Sequence, residues 1–182
     1  MINTRFFISF LALLYLNPVL ATPVSHPHFQ PMRGEIELKS TATVTWLAFI
    51  DVYDAALYVG DGAQPTTLLE GPSPFSLELR YKVSLSKAQL IEGADVALGR
   101  QHSEPYNAQY RSDVDALHQY YHDVIEGDRF RLDISDEHGL VLFFNDELVY
   151  ENSNAAFAKY YVGLWLAENP LSDRVRDGLL DW

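Results

Sequence analysis

The chain has 182 residues, of which 48% are hydrophobic and 13% aromatic, and this composition suits one domain with a substantial core. Its formal net charge of −12 disfavours binding to nucleic acid and to anionic lipid headgroups. The absence of cysteine excludes a disulfide framework and a lipidation cysteine, so packing alone must stabilise the fold.

The first 21 residues have the pattern of a secretory signal peptide. Arg5 precedes an apolar run from Phe6 to Leu20, and Ala21 completes a small-residue cleavage pattern. Asn17 and Pro18 shorten the run below the roughly 20 residues that span a bilayer, which favours a signal peptide over an uncleaved anchor. We therefore expect export to the periplasm or the medium after cleavage near Ala21, with no transmembrane segment in the mature chain.

Residues 22–33 are predicted to form a leader, and residues 34–182 are predicted to form the folded domain. Three prolines between Thr22 and Pro31 are typical of a flexible tail. His26 and His28 lie close enough in sequence to bind a metal together, but a flexible tail is the favoured interpretation.

The stretch from Trp46 to Gly60, WLAFIDVYDAALYVG, carries the strongest strand signal, and it follows a weakly alternating first strand at residues 34–39. At about 3.3 Å per residue it would extend roughly 50 Å, too long for one strand, so we expect a bend or bulge beside Asp51. Apolar residues on both alternating faces predict a central strand. Asp54 needs a partner there, because an unpaired carboxylate is costly among apolar side chains. A link to a neighbouring strand is favoured over a group facing a pocket.

Residues from Phe75 to Val83 alternate between apolar and polar types, which predicts a strand with one buried face. A first helix should follow directly. Ser86 and Gln89 have capping-box spacing, and apolar residues then recur at helical spacing up to about Gly99.

A second helix is predicted from Ser112 to Gly127, after a loop that contains Pro105 and Tyr106. His118 and His122 stand four residues apart on the edge of its apolar stripe, where a metal could bridge them. Because no third ligand stands at a suitable spacing, two surface histidines are the favoured interpretation.

Short strands in a meander are predicted between residues 130 and 150. Asn154 should then cap a third helix, in which Tyr161 and Trp165 belong to an aromatic stripe. Such a stripe forms either part of the core or one wall of an apolar ligand pocket. Ser172 caps a last short helix that ends near residue 180.

Several of these segments, in this order and spacing, resemble the bacterial chalcone isomerase-like proteins. They are VYDAALY at residues 52–58, LELRY at 77–81, VSLSKAQL at 83–90, FFN at 143–145 and FAKYYVGLWLAENPLSDRVRDGLL at 157–180. The resemblance implies an α+β fold in which an antiparallel β-sheet is packed on one face by a layer of α-helices.

Activity does not follow from fold alone. Plant chalcone isomerases use an arginine, a threonine, a tyrosine, a lysine and an asparagine. The resemblance places Tyr53 at the hydroxyl position, Leu90, Gly93 and Ala97 at three of the others, and no arginine at residues 41–45. Loss of an oxyanion site's donors costs several kcal/mol of transition-state stabilisation, so we expect no flavonoid cyclisation, no catalytic residues of this type and no cofactor.

Other proteins of this fold bind fatty acids with an arginine and a tyrosine. The resemblance therefore implies non-catalytic binding of a small apolar or amphipathic, fatty-acid-like ligand. The candidate ligand-binding residues are Tyr53, Asp54, Tyr58, Arg80, Tyr161 and Trp165. By alternation Arg80 lies on the polar face of its strand, and the direction of that face decides its role.

Two other functions stay open. The first is an isomerase or lyase with a different polar set, drawn from Tyr53, Asp54 and the two helix histidines. The second is an envelope structural or partner-binding protein, for which Tyr106 and Tyr110 would suit a partner surface. Convergence of the polar groups in one cleft would favour the enzyme.

Overall fold

A computed structural model describes residues 26–46 and 49–182 of the chain. The predicted signal peptide and residues 22–25 of the predicted leader lie outside the described residues, so export stays a prediction. None of the helices in the described residues is both long and apolar enough to cross a membrane.

Within the described residues, seven antiparallel strands form one sheet, in which each strand pairs with the next one along the chain. The strands are β1 (Met32–Arg33), β2 (Ile36–Trp46), β3 (Ile50–Val59), β4 (Phe75–Tyr81), β5 (Arg129–Ser135), β6 (Gly139–Phe144) and β7 (Glu147–Asn152). The predicted meander is therefore confirmed, and it continues the sheet that the earlier strands begin.

In this described part of the chain, four α-helices accompany the sheet: α1 (Lys87–Gln101), α2 (Glu104–His118), α3 (Ala155–Leu166) and α4 (Asp173–Leu180). Helix α3 lies over β5 and β6, and α4 lies over β2. Nine of the twelve residues of α3 are buried, so this helix is the centre of the core. The predicted α+β arrangement, a sheet with helices on one face, is confirmed. We call the helix-covered face the inner face and the opposite one the outer face.

The stretch from Trp46 to Gly60 contains the predicted bulge. Thr45 pairs with Asp51 and Val44 pairs with Tyr53, so the intervening Val52 has no partner in β2. The stretch also contains a reversal, because β2 ends at Trp46, which pairs with Ile50 at the start of β3. This hairpin explains why the apolar run is too long for one strand.

Helix α2 begins and ends earlier than predicted. The sequence pattern placed Pro105 and Tyr106 in a loop, whereas α2 starts at Glu104 with Pro105 in its first turn. Proline is favoured there because the first helical N–H groups have no intrahelical partner and the proline φ already fits the helix. The predicted caps at Ser86 and Asn154 are confirmed, each by a side-chain bond to the backbone.

Residues 26–33 of the predicted leader lie against the outer face. Phe29 is buried together with Leu38, Ala56 and Tyr58, and β1 pairs with β2. Arg129 of β5 donates a hydrogen bond to the carbonyl oxygen of His28 over 2.7 Å. This part of the chain thus differs from the expected flexible tail, because it covers apolar side chains of the sheet.

Candidate functional site

A pocket of about 190 Å³ lies between the inner face and helices α1 and α3. Tyr53 and Tyr81 contribute from β3 and β4, Gly93 contributes from α1, and Trp165 contributes from α3. Tyr121, which follows α2, and Gln89 of α1 are the other polar residues of the lining. Among the described residues that line the pocket, none carries a charge.

Helix α1 leaves space beside the pocket at Gly93. A Cβ atom built on Gly93 would meet no atom within 4 Å outside its own helix backbone. Leu90, one turn earlier, also lines the pocket. These are the two positions at which the resemblance places the tyrosine and the lysine of plant chalcone isomerases.

Tyr53 and Trp165 meet inside the core at one wall of the pocket. The indole Nε1 of Trp165 donates a hydrogen bond to the hydroxyl oxygen of Tyr53 over 3.0 Å. Tyr53 alternates inward on β3, and Trp165 is brought to it by the cap that starts α3 at Asn154. Burial raises the pKa of Tyr53, so its hydroxyl stays neutral at physiological pH.

A buried chain of hydrogen bonds leads away from the pocket through Tyr121. The hydroxyl groups of Tyr121 and Tyr161 lie 2.6 Å apart, and the Tyr161 hydroxyl lies 2.9 Å from Nε2 of His118. Burial raises the pKa of Tyr121 to about 12 and raises that of Tyr161 well above its ordinary value. Both phenols therefore remain protonated and can donate.

His118 is buried, with 4% of its surface exposed, and its Nδ1 has no hydrogen-bond partner among the described residues. Burial lowers its pKa to about 4, so the imidazole is neutral at pH 7. The sequence pattern placed this residue on a helix edge beside His122. In the structure His122 is exposed beyond the end of α2, where it stacks on the ring of Phe144. Within the described ranges no three potential metal ligands group together.

The buried His118 should make stability depend on pH. Its pKa is about 4 in the folded state and about 6.5 when unfolded, so the unfolded chain binds more protons between these values and stability falls as pH falls through this window. The loss from this residue should reach roughly 3 kcal/mol. Urea unfolding of the native protein and of His118→Gln at pH 7, 5.5 and 4.5 measures it. Equal pH dependence of the two proteins would contradict the burial of a neutral His118.

Three of the six predicted ligand-binding residues lie on the outer face, away from the pocket. Asp54 is buried and accepts a hydrogen bond from Thr43 of β2 over 2.8 Å, with Lys82 at 3.4 Å. It thus has the link to a neighbouring strand that its surroundings predicted. Arg80 stands beside Asp54 in the sheet register, so it shares that face. Tyr58 is buried on the same face under Phe29.

The other three predicted residues come together on the inner side. Tyr53 and Trp165 line the pocket, and Tyr161 lies behind them, bonded to Tyr121. Tyr121 and His118 were not predicted to belong to this group. Nothing in the sequence pattern identified their contacts with Tyr161 of α3.

The polar groups proposed for an alternative enzyme do not meet in one cleft. Tyr53 and Asp54 are consecutive strand residues and point to opposite faces. His118 reaches the pocket only through two tyrosines, and His122 is exposed. A larger groove of about 680 Å³ on the outer face has Arg33, Asp133 and Glu151 in its lining and contains none of these groups.

Of the two tyrosines considered for a partner surface, one packs against another side chain of this protein and the other is exposed. Tyr110 is half-buried and stacks on Tyr160 with ring centroids 4.4 Å apart. Tyr106 remains 40% exposed. Because Tyr110 packs inside the molecule, the two tyrosines do not form a continuous exposed patch.

Comparison with known proteins agrees with this architecture. The chain matches a crystal structure of a fatty-acid binding protein from Arabidopsis thaliana with a TM-score of 0.68 and 13% identity, covering 87% of this chain and 95% of that one. Among curated protein sequences, none matches significantly. The family model described as chalcone isomerase-like matches residues 28–181. Since that match spans the whole sheet and all four helices, the chain belongs to the chalcone isomerase-like family.

Proposed function

We propose that this protein binds a small apolar or amphipathic molecule in the pocket between Tyr53 and Trp165 and performs no reaction on it. The observation that carries the proposal is the pocket itself, about 190 Å³ of space between buried side chains of the core and half-buried ones at the surface. Well-packed side chains leave few voids larger than one water molecule, whose share of liquid volume is about 30 Å³. A space of this size at the edge of the core therefore suits a ligand.

The size of the pocket limits what it can hold. Pockets for drug-sized ligands usually have about 300–1,000 Å³, and this one has about 190 Å³. It therefore suits a compact molecule of a single ring, or the end of a longer chain whose remainder lies outside. The Arabidopsis structure is that of a fatty-acid binding protein, which supports an acyl ligand as one candidate.

The lining also bears on which part of an amphipathic ligand would enter. A carboxylate in the pocket would find tyrosine hydroxyls but no cation, since Arg80 lies on the outer face. Burial of an unpaired charge is strongly unfavourable. An uncharged part of the ligand is therefore the part that binds inside.

Filling the pocket from Gly93 should abolish binding. The side chain introduced by Gly93→Phe enters open space beside the pocket, whereas the one introduced by Gly99→Phe, on the same helix, stays at the exposed surface. Native mass spectrometry of protein purified from its own host should show a bound small molecule in the native protein and in Gly99→Phe, and bare chain in Gly93→Phe.

The matching stability control is Gly93→Ala, which should raise the free energy of unfolding by about 1 kcal/mol because alanine is favoured over glycine inside a helix. A bare chain in the native protein would contradict the proposed function. So would a bound molecule that survives in Gly93→Phe.

A further inference from the structure

The hydrogen bonds behind the pocket have a preferred direction. A neutral imidazole has one donor and one acceptor nitrogen, and each phenol has one donor. If Nε2 of His118 donates to Tyr161, then Tyr161 donates to Tyr121, and the proton of Tyr121 remains available at the pocket. Apart from that proton, which is left for a ligand, the one unmatched atom of this chain of bonds in the described residues is Nδ1 of His118, as a bare acceptor.

The other directions leave a buried donor without a partner. If Tyr121 donates to Tyr161 and Tyr161 donates to Nε2, the proton sits on Nδ1, which has no acceptor within the described part of the chain. If His118 and Tyr121 both donate to Tyr161, the proton of the fully buried Tyr161 is stranded. Buried donors without partners are rarer than under-used acceptors, so the first direction is favoured.

Tyr53 is oriented in the same sense. An indole N–H can only donate, so the bond between Trp165 and Tyr53 occupies the oxygen of Tyr53 and leaves its proton available. Tyr53 and Tyr121 can therefore both donate a hydrogen bond into the same small pocket. The hydroxyl oxygen of each already accepts a bond, from Trp165 and from Tyr161 respectively.

We infer that the pocket selects an uncharged carbonyl compound, such as a ketone, an ester or an amide, whose oxygen accepts hydrogen bonds from Tyr53 and Tyr121. Tyr161 and His118 are positioning residues, because they fix the direction in which the Tyr121 hydroxyl donates. This inference rests on the proposed function and adds the chemical class of the ligand.

The described lining has hydrogen-bond donors and no charge, and this favours carbonyl compounds over hydrocarbons and over carboxylates. A hydrocarbon would leave the two donors unpaired inside the core, which costs free energy. A carboxylate would pair with the donors but would lose its hydration without meeting a cation. A carbonyl oxygen accepts hydrogen bonds from both donors, so no donor is left unpaired and no charge is buried.

Three probes of similar size test this selection: cyclohexanone, its isostere methylenecyclohexane, and cyclohexanecarboxylate. Dissociation constants are measured by NMR titration of the purified protein. The ketone should bind tighter than the carboxylate. In Tyr53→Phe and in Tyr121→Phe, the affinity ratio of ketone to isostere should fall about five- to tenfold, because each variant removes one hydrogen bond.

His118→Gln and His118→Leu separate positioning from packing. Glutamine can still donate towards Tyr161 and should retain more of the ketone preference than leucine does, when both proteins are confirmed to be folded by thermal unfolding. Tyr120→Phe, at a tyrosine that is 45% exposed, should leave the ratio unchanged.

The outcomes distinguish this inference from the proposed function. If both probes bind but the affinity ratio of ketone to isostere does not change in Tyr53→Phe and Tyr121→Phe, the inferred ligand class is wrong. The proposed ligand pocket is not contradicted by that result. Tighter binding of the carboxylate than of the ketone would likewise overturn the inferred class alone. If no probe binds the native protein and Gly93→Phe leaves all titrations unchanged, the pocket itself is not a ligand site.

Discussion

Gly139→Ala is expected to destabilise the protein by more than about 4 kcal/mol, the range reached only when a substitution conflicts directly with the fold. Gly139 begins β6 with φ of 69°, a conformation that L residues rarely adopt. A Cβ atom there would overlap the carbonyl oxygen of Asn152 and lie 2.7 Å from the carbonyl carbon of Ser153. These are backbone atoms and cannot move aside alone.

The same substitution should disturb the pocket from a distance. Asn152 and Ser153 lead into Asn154, whose side chain accepts the hydrogen bonds that start α3. Displacing them shifts the helix that carries Tyr161 and Trp165. We therefore expect Gly139→Ala to weaken ligand binding as well as stability, although residue 139 does not line the pocket.

Gly34→Ala is the matched control for the clash. Gly34 also has a positive φ, 58°, but a Cβ atom there would have no neighbour within 4 Å. Only the conformational strain remains, which costs about 1–2 kcal/mol. Guanidinium chloride unfolding of both variants measures the difference, and equal losses would show that the clash is relieved by a backbone shift.

Local pattern was sufficient for most of the fold. Strict alternation from Phe75 gives β4, although both faces of this strand are buried and not one as predicted. Side chains at Ser86 and Asn154 cap helices at the predicted positions. Period-two alternation also separates Tyr53 from Asp54 without any structure. The pattern misplaced the start of α2 because proline has opposite effects at different helix positions. Proline breaks the interior of a helix but is favoured in the first turn, where Pro105 lies.

The hydrogen-bonded part of the site could not be read from pattern. His118 and Tyr161 are 43 positions apart, and their contact depends on how α2 packs against α3. Periodicity tells which residues of a helix face the core but not which residues they meet there. The packing of the helices, and not the sequence pattern, places a second layer of polar groups behind the donors of the pocket.

The outer face was the least predictable part, because its cover comes from the leader. Glu78 lies on β4 with 1% of its side chain exposed, and it accepts a hydrogen bond from Nε of Arg33 over 2.8 Å. Its other carboxylate oxygen pairs with Arg129 of β5. Arg129 in turn bonds the carbonyl of His28 and lies over the ring of Phe29. This carboxylate therefore links the leader, β4 and β5.

Replacing Glu78 should give the second large effect. Breaking a buried ion pair by removing one partner usually costs about 3–5 kcal/mol, and because both arginines retain some contact with solvent we expect about 3 kcal/mol for Glu78→Gln. Glu37→Gln is the control, since Glu37 pairs with Lys39 near the surface and such pairs contribute about 1 kcal/mol or less.

Release of the leader distinguishes this linkage from a simple loss of charge. In Glu78→Gln, Arg33 and Arg129 lose their shared partner, so residues 26–33 should detach from the outer face before the sheet unfolds. Hydrogen–deuterium exchange should then rise first at Phe29 of the leader and at Leu38 of β2, which pack together. If stability fell with no local rise in exchange, Glu78 would stabilise the sheet alone. The pocket on the inner face should retain its ligand in this variant, because none of these residues lines it.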